Sequence, residues 1–208
     1  MIAPGRFISL EGGEGVGKST QARALAAALR ARGLEVVETR EPGGSAGAEA
    51  IRGLLLGGAS DRWEARAEAL LFAAARADHV ARTIRPALAA GAWVVCDRFV
   101  DSSIAYQGAD GLGREAIMAL HAIGSEGLLP DRTLLLRLPR AIATAREIER
   151  DAGAPDRFGL RDDAYRAAVE QAFVTLAEDD PMRWRMVTAE GNPDEVTARL
   201  LDSLADLL

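Results

Sequence analysis

The sequence has few of the residues that build disulfides, metal cages and membrane spans. Its 208 residues include one cysteine, Cys96, and two histidines. An intrachain disulfide is therefore excluded, and a metal site made of several cysteines and histidines is not expected. No apolar run approaches the roughly 18–20 residues of a membrane-spanning helix, and the first residues lack the apolar core of a signal peptide. These scarcities predict a soluble protein of the reducing cytoplasm with no membrane partner.

Lysine is also almost missing. The chain has 25 basic residues, of which 24 are arginine, and its single lysine is Lys18. The formal net charge is −6, which argues against a broad surface for nucleic acid. A chain that otherwise uses arginine keeps one compact ammonium at position 18, which suggests a site too narrow for a guanidinium.

The residues around this lysine form a phosphate-binding motif. Gly12, Gly17, Lys18 and Ser19 fit the pattern G-x-x-x-x-G-K-[ST] without mismatch. A short apolar run precedes the motif and an amphipathic helical pattern follows it, which is the strand–loop–helix context that the motif needs. We therefore predict that the chain binds a nucleoside triphosphate. The predicted binding residues are Gly12, Gly13, Glu14, Gly15, Val16, Gly17, Lys18, Ser19 and Thr20.

Strand and helix patterns alternate along the chain, without a linker or an internal repeat. This predicts an α/β fold of the P-loop NTPase type, a three-layer sandwich whose parallel sheet of about five strands carries helices on both faces. The strands are predicted near residues 7–10, 35–39, 92–96, 133–136 and 185–187. The helices are predicted over residues 22–33, 48–56, 63–90, 114–126, 140–150, 162–178 and 193–207, with Pro86 bending the third.

Charged residues follow two of the predicted strands, at the edge where ligands of parallel sheets bind. Asp97 is placed to hold magnesium, and the alternative is an exposed acid at the end of a strand. Arg98 is placed to bind a phosphate, or else to pair with Asp97. Arg40 lies in a Gly-Pro turn, where it would bind a second anion or pair with Glu41.

Three arginines surround a Gly/Pro break in the chain, namely Arg146, Arg150 and Arg157. Guanidinium groups around a flexible joint suit a lid that closes over a triphosphate and neutralises charge in the transition state. Acidic residues alternate with them, namely Glu147, Glu149 and Asp151. The alternative of a solvated helix face with i,i+4 ion pairs therefore stays open.

Five pieces of sequence, taken together, resemble the thymidylate kinases. They occur in order along essentially the whole chain, and Arg-Glu-Pro-Gly-Gly and Ala-Tyr-Gln-Gly are more specific than a phosphate loop alone. The pieces are residues 11–20, 39–44, 72–76, 97–99 with 102–108, and 156–158. The resemblance implies one nucleotide-kinase domain over residues 1–208, with a mobile lid at about 146–160. It also implies a homodimer that uses ATP and Mg²⁺ to phosphorylate dTMP to dTDP in dTTP biosynthesis.

The resemblance also implies roles for single residues. Ser19 and Asp97 would hold the metal, and catalysis would rest on Lys18, Asp97, Arg98, Arg146, Arg150 and Arg157. Glu14 would meet the acceptor's 3′-hydroxyl, while Arg40 and Arg98 would hold its phosphate. The residues expected around the thymine and its sugar are Phe72, Arg76, Ser103, Tyr106 and Gln107. Without the family pattern, plain core packing is the favoured interpretation of Phe72.

Two departures from the family pattern stand out. Gly159 occupies a position where a glutamate is common, and Phe99 replaces a frequent tyrosine or histidine. The phosphate loop lacks an arginine, which resembles the bacterial arrangement with lid arginines. The remaining alternatives are another nucleotide or deoxynucleoside kinase on this scaffold, and a regulatory switch that hydrolyses nucleotide without an acceptor.

Overall fold

The computed structural model describes residues 5–59, 61–151, 159 and 161–208, with the backbone only of Arg150 and Asp151. This part of the chain forms a five-stranded parallel sheet in the order β2-β3-β1-β4-β5. The strands are β1 (Phe7–Glu11), β2 (Val36–Arg40), β3 (Trp93–Asp97), β4 (Arg132–Arg137) and β5 (Trp184–Thr188). The predicted α/β class and strand number are confirmed.

Helices connect the strands and cover both faces of the sheet. They are α1 (Lys18–Ala31), α2 (Ala46–Leu56), α3 (Ala65–His79), α4 (Arg85–Ala89), α5 (Val100–Ala109), α6 (Arg114–Ser125), α7 (Arg140–Asp151), α8 (Asp163–Asp179) and α9 (Pro193–Asp202). Among the described helices, none combines the length and apolar character that a membrane span needs. The helix predicted over 193–207 ends at Asp202 and continues as turns.

The helix predicted over residues 63–90 is interrupted before its proline. A π-helical turn, Val80–Ile84, joins α3 to α4, and Pro86 lies in the first turn of α4. Proline has no N–H for the helical ladder, so the hydrogen-bonding pattern has to change at this point.

Helix α5 was not predicted, although it carries several residues of the site. Seven of its ten residues are buried, including the polar Asp101, Ser102, Ser103 and Gln107, and the other three are half-buried. A helix that is buried on all sides shows no 3.6-residue alternation of apolar and polar residues. The pattern that revealed the other helices is therefore missing here.

Two apolar layers hold the sandwich together. Every residue of β1 and β3 is buried, as expected for central parallel strands. Ile8 and Leu10 face a cluster formed with α1 and α9, whereas Phe7 faces the cluster that contains Phe99 and Phe173. This packing fixes the carboxyl ends of the strands, where the phosphate loop begins.

Candidate active site

The phosphate loop follows β1 and leads directly into α1. Its glycines Gly12, Gly15 and Gly17 have φ angles of 136°, 72° and 94°, a region that other residues rarely adopt. Helix α1 begins at Lys18 without a side-chain cap, so the N–H groups of its first turn are available to an anion. Lys18 Nζ donates to the carbonyl oxygen of Gly13 at 2.6 Å, which folds the lysine back over the loop.

The ammonium of Lys18 is buried beneath this loop, with the residue 6% exposed. Burial, followed by the nearby charge of Arg98, lowers the pKa of Lys18 to about 8. A triphosphate in the loop would favour the charged form of the lysine, because an anion close to an ammonium raises its pKa.

Two oxygen-bearing side chains meet beside the loop. Ser19 Oγ donates to Asp97 Oδ2, and the other carboxylate oxygen, Oδ1, is buried without a hydrogen-bond partner. A hydroxyl and a carboxylate suit Mg²⁺, which usually takes one or two protein oxygens together with water and substrate phosphates. In the described part of the chain, no group of three or more His, Cys, Asp or Glu is arranged to hold a metal ion by itself, and a Mg²⁺ site of this kind does not need one.

Arg98 joins the end of β3 to the phosphate loop and to α5. Its Nη2 donates to Glu14 and to Tyr106 Oη, the latter at 3.0 Å, and its Nη1 donates to Ser102 Oγ at 3.0 Å. The alternative that Arg98 pairs with Asp97 is wrong, because the ion pair that it forms is with Glu14.

Glu11 is a buried acid of the site that the sequence analysis did not single out. Its carboxylate accepts from the backbone N–H of Phe99 at 2.7 Å and from Ser102 Oγ at 2.6 Å. Burial, with the charge of Asp101 next, raises the pKa of Glu11 to about 8. An acid at the end of a central, mostly apolar strand was the available signal for this residue.

On the other side of the cleft, Arg76 is 3% exposed and held by protein partners. Its Nε donates to Glu41 Oε2 at 2.7 Å, and its Nη2 donates to Ser103 Oγ at 2.8 Å. Glu41 Oε1 lies 3.0 Å from His79 Nδ1. Neither Glu41 nor His79 was assigned to the site from the sequence.

Arg40 lies in the same loop as Glu41 but turns to a different partner. Its Nη2 donates to both oxygens of Glu49, at 3.0 and 3.1 Å, and its side chain is 54% exposed. The alternative that Arg40 pairs with Glu41 is therefore wrong. Arg40 borders the cleft, where its guanidinium is accessible to an anion.

Phe72 and Gln107 complete the wall near Arg76. Phe72 borders the cleft and belongs to neither apolar core cluster, so it is not a plain core residue. Gln107 Nε2 donates to Glu68 at 3.0 Å, while Gln107 Oε1 is buried and has no hydrogen-bond partner.

A cleft of about 830 Å³ brings most of the predicted residues together. From the phosphate loop and α1 these are Glu14, Gly15, Val16, Gly17, Lys18, Ser19 and Thr20, and from other elements Arg40, Phe72, Arg76, Asp97, Arg98, Ser103, Tyr106, Gln107 and Arg146. Gly12 and Gly13 shape the loop without bordering the cleft. Ala189, Gly191 and Pro193 also line the cleft, in the segment after β5, and were not predicted. The rule that ligands bind at the carboxyl ends of parallel strands applies to this turn as well.

The predicted lid falls largely outside the described residues. Arg157 and the side chain of Arg150 are not described, so Arg146 is the predicted lid arginine with a known place at the cleft. Glu147 pairs with Arg166 of α8. Arg166 also donates to the carbonyl oxygen of Gly159 at 2.7 Å.

The fold is a parallel α/β sandwich with a phosphate loop, and its cleft runs from this loop to the wall made by α3 and α5. These features define a phosphate-loop nucleotide kinase. A family model for thymidylate kinase matches residues 10–200. Thymidylate kinase of Rhizorhabdus wittichii is 71% identical over 206 residues, 99% of this chain and 99% of the relative. Thymidylate kinase of Chromohalobacter salexigens is 48% identical over 209 residues, 100% and 98% of the two chains. The crystal structure of thymidylate kinase from Ehrlichia chaffeensis has a TM-score of 0.77 at 30% identity, covering 97% of this chain and 100% of that chain.

The chain therefore belongs to the thymidylate kinase family. It is an ATP-dependent nucleoside monophosphate kinase, a transferase of nucleotide biosynthesis.

Proposed function

We propose that this chain transfers the γ-phosphoryl group of ATP to dTMP within the described cleft, giving ADP and dTDP. The observation that carries the proposal is the distribution of charge along the cleft. Lys18 and Asp97 lie at the end formed by the phosphate loop, and Arg76 lies at the end formed by α3 and α5. Arg98 is positioned between the two ends, so donor and acceptor phosphates would meet beside it.

The transfer needs positioning and charge stabilisation more than acid–base chemistry. The attacking oxygen belongs to an anionic phosphate, so a strong general base is not required. Lys18 would stabilise the negative charge on the phosphoryl group during its transfer, and Arg98 would hold the acceptor phosphate beside it. Arg146, with Arg150 and Arg157 predicted to join it, would neutralise charge from the lid side.

Ser19 and Asp97 are the residues that would hold Mg²⁺. The bound metal would neutralise charge on the phosphate oxygens of ATP. Asp97 Oδ1 supports this assignment, because it is a buried carboxylate oxygen without a hydrogen-bond donor.

Acceptor choice would rest on the wall made by α3 and α5. Arg76 has N–H donors only, which favours the carbonyl at position 4 of thymine over the amino group of cytosine. Gln107 Oε1 is available to accept from an N–H of the base, and Phe72 offers a ring for stacking. Ser103 and Tyr106 would line the base and sugar.

The phosphate side of the acceptor would be completed by two further residues. Arg40 is accessible at the cleft and would bind the acceptor phosphate together with Arg98. Glu14, already bonded to Arg98 and Tyr106, would meet the sugar 3′-hydroxyl.

A panel of acceptors tests the proposal. Purified protein is given ATP and Mg²⁺, and ADP release is measured with dTMP, dUMP, dCMP, dGMP, AMP, thymidine or no acceptor. Fast release with dTMP, with dUMP well behind and the others near background, is the expected result. Equal release with every acceptor and without one would overturn the proposal in favour of a regulatory nucleotide switch, and release with thymidine would indicate a nucleoside kinase.

We further propose a homodimer in the cytoplasm. Leu70 of α3 and Ile123 of α6 are 56% and 83% exposed, and these two helices pack against each other. An apolar surface shared by neighbouring helices suits a contact between two copies. Light scattering after size exclusion measures the mass, and a Leu70→Glu/Ile123→Glu variant is expected to shift a dimer toward the monomer.

A further inference from the structure

We propose that His79 is a positioning residue for acceptor recognition, acting through Glu41 on the guanidinium of Arg76. The inference rests on the proposed function, in which Arg76 reads the acceptor base. It concerns Glu41, which borders the cleft beside Arg76, and His79, which lies behind Glu41, and neither residue contacts ATP or dTMP in that proposal.

The orientation of Arg76 is fixed by its protein partners. Nε donates to Glu41 and Nη2 donates to Ser103, at 2.7 and 2.8 Å, and the guanidinium carbon lies 5.5 Å from the centre of the Phe99 ring. Nη1 forms no hydrogen bond with a described residue, and Arg76 borders the cleft. Two of the three guanidinium nitrogens therefore hold the group, and the third is left for a ligand.

Glu41 is in turn fixed by two donors, one on each oxygen. Oε2 accepts from Arg76 Nε, and Oε1 lies 3.0 Å from His79 Nδ1. A carboxylate has only acceptors to offer, so Nδ1 of His79 carries the hydrogen. In the neutral ring Nε2 then accepts from Thr39 Oγ1, at 2.7 Å. Because Arg76 and His79 are three residues apart on α3, both reach the same carboxylate.

The imidazole has little room to move. His79 has no exposed surface and Glu41 is 6% exposed. A Cβ on Gly44 would lie 2.3 Å from His79 Nε2 and 2.4 Å from Thr39 Oγ1, so the loop after β2 packs directly on the ring. Thr83 Oγ1 also donates to the carbonyl oxygen of Gly44 at 2.7 Å. The chain thus builds a rigid support behind Arg76.

Removing the imidazole would leave Glu41 with one donor in a buried place. A buried hydrogen-bond acceptor without its donor raises the free energy of the folded state, so its side chain reorients toward the donor that remains. Rotation of Glu41 would tilt the guanidinium of Arg76, since the fork of an arginine follows the carboxylate that it binds. The donor aimed at the base would then be misplaced, while the phosphate loop would be untouched.

The test compares two substitutions at one position. His79→Leu removes both ring nitrogens, whereas His79→Asn keeps an N–H donor close to the place of Nδ1. Each variant is assayed for KM and kcat with dTMP and with dCMP and for the KM of ATP. The dissociation constant of dTMP is measured by calorimetry without ATP. His121→Leu is the control, because it removes the other buried histidine of the chain.

For His79→Leu we expect the KM and the dissociation constant of dTMP to rise ~10-fold, the scale of one hydrogen bond to a charged group. The dTMP-over-dCMP preference should fall and the KM of ATP should stay within about twofold. His79→Asn should recover most of the dTMP affinity, and His121→Leu should lower thermal stability without changing the preference.

The inference is overturned if folded His79→Leu binds dTMP as the wild type does, or if His79→Asn and His79→Leu weaken dTMP binding equally. It is also overturned if the KM values of ATP and dTMP rise together, because that pattern indicates a general structural defect. If the wild type itself fails to phosphorylate dTMP, the proposed function fails, and this result is separate from both variants.

Discussion

Arg98 donates to Glu14 and so ties the end of β3 to the phosphate loop. The backbone of Arg98 has a φ of 71°, a left-handed conformation that is uncommon for a residue with a side chain. The contact lies where the proposed donor and acceptor sites meet. One guanidinium thus holds the loop in place, and in the proposed function it would also present positive charge to the phosphates.

Replacing Arg98 should damage turnover more than stability. Arg98→Ala is expected to lower kcat at least ~100-fold, the scale of losing a charge contact in the transition state. Steady-state kinetics at saturating ATP and dTMP measure the effect. Arg114→Ala is the control, since its ion pair with Asp179 is about half exposed and such pairs contribute little. A near-normal kcat in folded Arg98→Ala protein would show that Arg98 does not contribute to catalysis.

Replacing Lys18 by arginine, which keeps the positive charge, should lower kcat as much as the loss of a charge would. Lys18 Nζ reaches the carbonyl oxygen of Gly13 from a buried position, and a planar guanidinium is broader than an ammonium. Lys18→Arg is expected to lower kcat at least ~100-fold, whereas Arg114→Lys should leave it unchanged. Circular dichroism confirms folding, and a kcat within tenfold of wild type would contradict the assignment.

The positions of Lys18, Ser19 and Asp97 could be predicted from the sequence because they follow from rules of backbone geometry. The phosphate motif placed Lys18 and Ser19, and the continuous apolar run of β3 placed Asp97 at the same edge of the sheet. Such rules state where a strand ends and which loop follows it. They apply before any side chain is packed.

The side-chain partners were not readable, because they depend on which neighbours arrive through space. Arg40 was weighed as a partner for Glu41, yet it pairs with Glu49, and Glu41 pairs with Arg76 from α3. Adjacent residues in a strand or turn point in different directions, so sequence proximity misleads here. The residue roles within the cleft consequently remain predictions for the assays above.

A methyl group on the phosphate loop should test how closely the loop packs against α7. An added Cβ at Gly15 would lie 2.0 Å from the carbonyl oxygen of Ala143, and φ at this position is 72°. Gly15→Ala is therefore expected to displace the start of α7 and to raise the KM of ATP ~10-fold or more. The left-handed conformation alone should cost about 1–2 kcal/mol of unfolding free energy.

The matched control for this change is Gly53→Ala, because a Cβ at Gly53 meets nothing within 4 Å. Alanine is also the better helix former within α2. Gly53→Ala should leave the KM of ATP unchanged and slightly raise the unfolding free energy. Equal KM values for both alanine variants would show that the loop tolerates a methyl group and that its packing on α7 is unimportant for ATP.

Acid should destabilise the fold through His121. Burial lowers the pKa of His121 below its ordinary value, and the hydrogen bond to Leu128 opposes this shift. Nε2 lies 2.6 Å from the Leu128 carbonyl oxygen, and Nδ1 is buried without a partner. The unfolded chain then binds the proton more readily than the native one does, so stability is present above the ordinary pKa of about 6.5 and is lost as the pH falls below it.

His121→Gln keeps a donor for Leu128 but does not titrate. Urea unfolding at pH 7.5, 6.5 and 5.5 should show a smaller loss of unfolding free energy for His121→Gln than for the wild type. Identical losses in the two proteins would mean that the acid sensitivity comes from other groups.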